Sequence, residues 1–410
     1  MKNLVVCCDG TGNEVSENIS NVLKLYRVLR KTGKTNPKQI VFYDPGVGTL
    51  ARPDPWIKFR QDAVMVLGLM TGYGLDERVL AAYTFLIDNY DEGDDIYLFG
   101  FSRGAYTVRM LAGLIHKVGL LSPPQKNLAE AALGSYKQSI EFDQSGVADT
   151  EASEVGPMSR DDRAAQFARI VSVRWPTIKF LGVWDTVASV IVPRPDRFYT
   201  FSLQELPHTR RNPSVRIFRQ AIALDERRRM FRLHGWDEKQ TFMPNRFSKT
   251  NNSEPQDIKQ VWFAGVHADI GGGYLEAESG LSKFPLLWMI GEAVAQGLAV
   301  NPQTVNQLAW GVQRRGSPFS YVAPDSGRDP HQSLTSAWRP LEWLPKSDKY
   351  KEWKRLTSWF GHYIPSGEPR PVEDDAWIHE SVFRRIEAVP HYRPVNMPST
   401  HRIVPMLTKT

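Results

Sequence analysis

The sequence predicts an α/β fold built on a mainly parallel sheet with helices on both faces, and three observations carry that prediction. Short apolar runs of strand length alternate with helical periodicities through the first 120 residues, the pattern left by a parallel sheet with crossover helices. Three of the apolar runs end on a polar residue suited to chemistry, Asp9, Asp185 or His267, as strands do where their carboxyl ends line a crevice. The composition, 410 residues of which 41% are hydrophobic, 11% aromatic and 23% charged, supports a large buried core.

Taken in order, residues 4–8 (Leu4-Val5-Val6-Cys7-Cys8) read as a buried strand running into the turn Asp9-Gly10-Thr11-Gly12-Asn13. Ser20 suits the N-cap of a helix with Val22, Leu25, Tyr26 and Leu29 on one face, stopped by Gly33. Residues 39–43 form a second strand, broken by Asp44-Pro45-Gly46. A helix carrying Leu75, Val79, Ala82, Tyr83, Leu86 and Tyr90 ends at Gly93, and residues 95–99 form a third strand. Met110, Leu111, Leu114, Ile115 and Val118 share the next helical face, closed by Gly119. Residues 141–166 are polar and aperiodic and read as a surface insertion or mobile loop. Strands resume at 177–184, 215–224 and 260–266, ending at Asp185, Asp225 and His267. The last 110 residues hold 13 of the 28 prolines and 6 of the 12 tryptophans, which predicts few regular elements but much buried aromatic surface, a packed cap. No internal repeat is visible.

Composition also narrows the function classes. The longest apolar stretch, Ala63 to Met70, is less than half of the roughly 18–20 residues that cross a bilayer. The apolar run behind Lys2 is cut by Asp9, too early for a secretory signal. Two adjacent cysteines, Cys7 and Cys8, point to opposite faces of a strand and suggest no disulfide. These features predict a cytoplasmic protein, with specialised secretion left open. The net charge of +6, from 51 basic and 45 acidic residues, allows some affinity for anionic surfaces and transient membrane contact. It does not point to nucleic acid, and oligomeric state is left open.

The sharpest chemical signal is Gly100-Phe101-Ser102-Arg103-Gly104, a G-x-S-x-G elbow in which small residues permit a tight strand-to-helix turn that projects the serine. A strand leads into it and a helix leaves it, the context that the motif requires. A serine hydroxyl needs an imidazole to take its proton, and the imidazole needs an acid to orient it. Asp185 and His267 both follow strands, so with Ser102 they are the candidate catalytic residues, with Asp225 and Asp269 as rival acids. Their order, Ser then Asp then His, is that of α/β-hydrolases. The backbone N–H of Arg103, with Gly10 or Thr11, would form an oxyanion hole. No nucleotide-binding glycine pattern occurs, and no cofactor or metal is called for. A metal-dependent phosphoesterase using Asp9, Asp185, His267 and Asp269 is the alternative enzyme, and a catalytically inactive interaction module the third reading. The arginines around Arg227-Arg228-Arg229 read as a solvated or salt-bridged helix face, and His379-Glu380 as a helix start.

At the level of motifs the chain resembles the α/β-hydrolase domains of phospholipase effectors of type VI secretion, a family long catalogued as uncharacterised. The resemblance rests on Cys8-Asp-Gly-Thr-Gly-Asn13, Gly100-Phe-Ser-Arg-Gly-Ala105, Gly182-Val-Trp-Asp-Thr-Val187, Ala223-Leu-Asp-Glu-Arg227, Gly265-Val-His-Ala-Asp-Ile-Gly-Gly-Gly-Tyr274 and Ile378-His-Glu-Ser-Val382. It implies a Ser–Asp–His triad at Ser102, Asp185 and His267, and in some members hydrolysis of phospholipid acyl esters. The expectation is a serine hydrolase of carboxylic or lipid esters. Residues 1–300 would be its catalytic domain, with insertions at about 120–170 and 190–255, and 301–410 the C-terminal cap.

Overall fold

The computed structural model describes residues 1–10, 19–46, 74–144, 163–171, 173–187, 191–194, 200–203, 208–244, 253–329, 331–335 and 338–409. Eight strands among them form one sheet: β1 (Asn3–Cys8), β2 (Gln39–Asp44), β3 (Asp95–Phe101), β4 (Ile178–Trp184), β5 (Val215–Ala223), β6 (Asp257–Phe263), β7 (Ala376–His379) and β8 (His401–Val404). The order across the sheet is β8-β7-β6-β5-β4-β3-β1-β2, and every neighbouring pair is parallel.

Alternation along the strands divides the core in two. Leu4, Val6 and Cys8 face α2 (Leu75–Asn89), α3 (Arg103–Val118) and α4 (Ala129–Gln144), whereas Val5 and Cys7 face α1 (Asn21–Val28), α7 (Lys283–Ala295) and α8 (Pro302–Leu308). Both faces of β1 are therefore buried, which is why it reads as an unbroken apolar run. The fold is α/β-hydrolase-like, with helices on both faces of the sheet.

Several boundaries differ from the sequence reading, α2 for instance stopping at Asn89 ahead of Gly93, and two show the physical reason. Ser20 caps α1 by accepting from the Leu23 N–H, but the helix ends at Val28 rather than near Gly33. Leu29 is extended there and bridges to Val300, while Arg30 N–H donates to Ala299. A tertiary partner thus ends the helix before glycine does. Strand β6 begins at Asp257 and stops at Phe263, and Ala264-Gly265-Val266 turns the chain into the short helix α6 (His267–Gly271). Of the expected insertion at 141–166, residues up to 144 belong to α4 and residues from 163 to α5 (Arg163–Ile170), and 145–162 lie outside the described residues. In the last 110 residues, 376–404 form β7, a helix (Glu380–Ala388) and β8, so this part of the chain contributes two strands to the main sheet.

The order also locates the crevice. From β1 the chain crosses to β2 on one side, returns past β1 to β3, and then proceeds steadily outward on the other side. Connections therefore diverge above the carboxyl ends of β1 and β3, the position at which open α/β sheets bind ligands. Asp9 follows β1 there and Ser102 follows β3.

Candidate active site

Ser102 sits between β3 and α3 with φ 56° and ψ −120°, a left-handed conformation that non-glycine residues seldom adopt. Its N–H donates to the Trp184 carbonyl at 3.1 Å, carrying the ladder with β4 one residue past the strand. Close approach dictates the flanking glycines. A Cβ on Gly104 would lie 2.1 Å from the Cys8 carbonyl oxygen, and one on Gly100 would lie 2.5 Å from the Gly104 carbonyl oxygen. Only glycine lets the start of α3 press onto the ends of β1 and β3.

Asp185 and His267 reach the same point from neighbouring strand ends. His267 Nδ1 lies 2.6 Å from Asp185 Oδ2, and its Nε2 lies 2.9 Å from Ser102 Oγ. With Asp185 ionised, Nδ1–H donates to the carboxylate, leaving Nε2 to accept from the Ser102 hydroxyl. Burial pushes the His267 imidazole below its ordinary value, opposed by its bond to Asp185. Burial alone would push the Asp185 carboxyl up, but Arg370 and His267 hold it well below the usual carboxylate range. The row is thus a neutral base beside a fixed anion. Phe101 and Phe231 wall the imidazole, with ring centroids 4.7 and 4.9 Å from it.

Two supporting groups escaped the sequence reading. Arg370, wholly buried, grips Asp185 with both terminal nitrogens, Nη1 to Oδ1 at 2.6 Å and Nη2 to Oδ2 at 3.1 Å, and also donates to the Ala223 and Phe231 carbonyls. Its partner lies 185 residues away, beyond the reach of any local pattern. Glu226 accepts from the His267 N–H at 3.2 Å and pairs with Arg228 at 2.9 Å; burial would raise it, but Arg228 holds it down to about 2. Its appearance in the Ala223–Arg227 motif was the available signal. Arg219, Arg228 and Arg232 are paired with acids, but not on the helix face the sequence suggests, because Arg219 lies on β5 and Arg228 and Arg232 flank a single 3-10 turn; His379 caps the helix that follows it.

The rival acids serve elsewhere. Asp225 accepts from the Gly265 N–H and the Tyr392 hydroxyl, and Asp269 from the Val266 N–H while pairing with His331. Asp9 accepts from the Tyr43 hydroxyl at 2.9 Å and from Ser20. Asp9, Asp185, His267 and Asp269 do not gather around one point, and among the described residues no cluster of three or more His, Cys, Asp or Glu side chains is arranged to hold a metal. Arg103 opens α3 immediately after Ser102. Gly10 lies beside Ser102, where a Cβ on it would meet the serine Cβ at 3.4 Å, and its N–H donates to Asp9 Oδ1 at 2.7 Å. Thr11 lies outside the described residues.

The catalytic-domain model of the T6SS phospholipase effector Tle1-like family matches residues 2–292. An uncharacterized protein of Saccharomyces cerevisiae is 33% identical over 237 residues, 56% of this chain and 32% of that protein. A crystal structure of an uncharacterized protein from Pseudomonas aeruginosa is similar at a TM-score of 0.36 and 17% identity, covering 74% of this chain and 47% of the other. The structure of the Tle1 effector bound to the VgrG spike of the type 6 secretion system is similar at a TM-score of 0.30 and 17% identity, covering 68% and 52%. The chain thus spans about a third of the length of the curated relative and about half of each of these solved chains.

Proposed function

The chain belongs to the Tle1-like phospholipase effector family of type VI secretion, matched through that family's catalytic domain, and from this premise we propose that it is a serine hydrolase cleaving acyl esters of phospholipids. The observation that carries the reading is the hydrogen-bonded row Ser102–His267–Asp185 at the divergence point of the sheet. Ser102 Oγ attacks the ester carbonyl as His267 Nε2 takes its proton, and Asp185 stabilises the imidazolium that forms. His267 then gives the proton to the departing alcohol, leaving an acyl-serine that water cleaves by the same relay. The Arg103 N–H is the proposed donor to the oxyanion, with Thr11 as the second candidate, because the Gly10 N–H is already given to Asp9 Oδ1. Phe101 and Phe231 keep bulk water off the imidazole.

Treatment of the intact chain with a fluorophosphonate, followed by peptide mapping, should place the adduct on Ser102. The Ser102→Ala chain should neither label nor release fatty acid from phospholipid. Chelators should leave the rate unchanged. An adduct on a different serine would overturn the assignment of Ser102, and activity that EDTA abolishes and divalent metal restores would replace this mechanism with the phosphoesterase reading.

A further inference from the structure

Fourteen large apolar side chains are exposed among the described residues, and most are scattered singly. Five of them, however, fall within 343–364: Trp343 (68% exposed), Leu344 (43%), Trp359 (78%), Phe360 (85%) and Ile364 (50%). Clustered exposure of this kind marks an interaction surface rather than ordinary surface composition. The backbone holds it in place. Lys346–Ser347 pairs antiparallel with His362–Tyr363, and Trp359 and His362 exchange both N–H to carbonyl bonds across Phe360-Gly361. Both residues of that two-residue turn have positive φ, 46° at Phe360 and 72° at Gly361. The tight hairpin geometry demands it, yet a bulky aromatic is the wrong residue for φ > 0. A strained Phe, kept at a tip where asparagine or glycine would fit, and with the Trp359 ring 5.0 Å away, points to a use for the exposed rings.

Charge identifies the occupant. The exposed Lys and Arg residues of 343–364 are Lys349, Lys354 and Arg355, and no Asp or Glu there is exposed: Glu352 binds Arg232 and Asp348 is half-buried. Aromatic rings flanked by cations match the boundary between acyl chains and anionic headgroups. The ribbon is also tied to the candidate site. Buried Glu368, two residues before Arg370, accepts from the Glu352 and Trp353 N–H groups and the Tyr363 hydroxyl. Trp338 packs edge-on against Phe231, which itself packs on His267.

We infer that the aromatic-tipped ribbon 343–364 is a docking surface for an anionic lipid bilayer, holding the Ser102 crevice at the membrane interface. The inference rests on the phospholipid reading for its purpose, but its test does not need catalysis. Full-length Ser102→Ala chain should float with vesicles of phosphatidylcholine containing a quarter phosphatidylglycerol, and far less with phosphatidylcholine alone or at high salt. Adding Trp359→Ser and Phe360→Ser should cut the bound fraction at least about fivefold with unchanged melting temperature, since the apolar area inserted sets the affinity. Lys354→Glu with Arg355→Glu should remove the preference for anionic vesicles. Equal flotation of the tip variant, or no flotation of the parent, overturns the inference. So does a parent that stays off vesicles but self-associates through the tip, which assigns the surface to a protein partner. Lost flotation with intact fluorophosphonate labelling sinks the docking surface alone, and intact flotation without labelling sinks the catalytic reading alone.

Discussion

Burial lowers the basicity of His267 and Asp185 raises it, and Arg370 enters through its grip on Asp185. Asp185 would lift the imidazole strongly if its charge stood alone, but the guanidinium closing on both carboxylate oxygens offsets much of that field. Burial then prevails and His267 stays below its ordinary value. The acid limb of kcat/KM, which reports the free imidazole, should therefore lie below about pH 6.5, the unperturbed histidine value. Arg370→Gln leaves Asp185 uncompensated and favours the imidazolium, so the limb should move to higher pH. Arg370→Lys should restore most of the original profile. A guanidinium that only braced the fold would lower rates equally at every pH, and that result would reject the assignment. The three residues of the row were legible because each ends an apolar strand, and Ser102 additionally stands between glycines that backbone contacts require. Arg370 was not, because nothing around it in sequence distinguishes it from a surface arginine.

Between elements, Asp225 joins the turn after β5 to the turn that delivers His267. Its Oδ2 accepts from both the Gly265 N–H and the Tyr392 hydroxyl. Burial pushes its carboxyl up to about 6, with those two donors and Arg385 opposing. In the unfolded chain the group titrates near 3.9. The folded state thus binds the proton more tightly. The associated stability is full below about pH 4 and is lost as pH rises through about 6. Asparagine keeps an oxygen for both donors and carries no charge, so Asp225→Asn should stabilise the fold at pH 8 by on the order of 2 kcal/mol, read as a higher melting temperature. Near pH 4 the gain should vanish, and an equal gain at both pH values would show that this carboxylate is not the source. Elements were legible where local signals and packing agree, as at Ser20, the N-cap of α1. They were misread where a distant partner intervenes, as when Val300 draws Leu29 out of α1. The edge strands β7 and β8 are four residues each within proline-rich sequence, too short to announce themselves by alternation.

At the scale of the molecule, the family match ends at residue 292, whereas the site does not. Arg370 on Asp185, Tyr392 on Asp225 and Trp338 on Phe231 all come from later in the chain. So do β7 and β8, which cover the edge of β6 that would otherwise present unpaired backbone groups. A chain cut after residue 292 would leave Asp185 buried without its cation, a loss of about 3–5 kcal/mol by analogy with broken buried pairs, against a total stability of only about 5–15 kcal/mol. The truncated chain should therefore show no cooperative melting transition and no fluorophosphonate labelling of Ser102, while the full chain shows both. Residues 293–410 supplied as a separate chain should recover part of the labelling, because what they contribute is a strand edge and a buried guanidinium rather than the nucleophile. Full-rate labelling of the truncated chain would mean that Ser102, His267 and Asp185 hold their geometry without Arg370, and the later third of the chain would then be dispensable for the site.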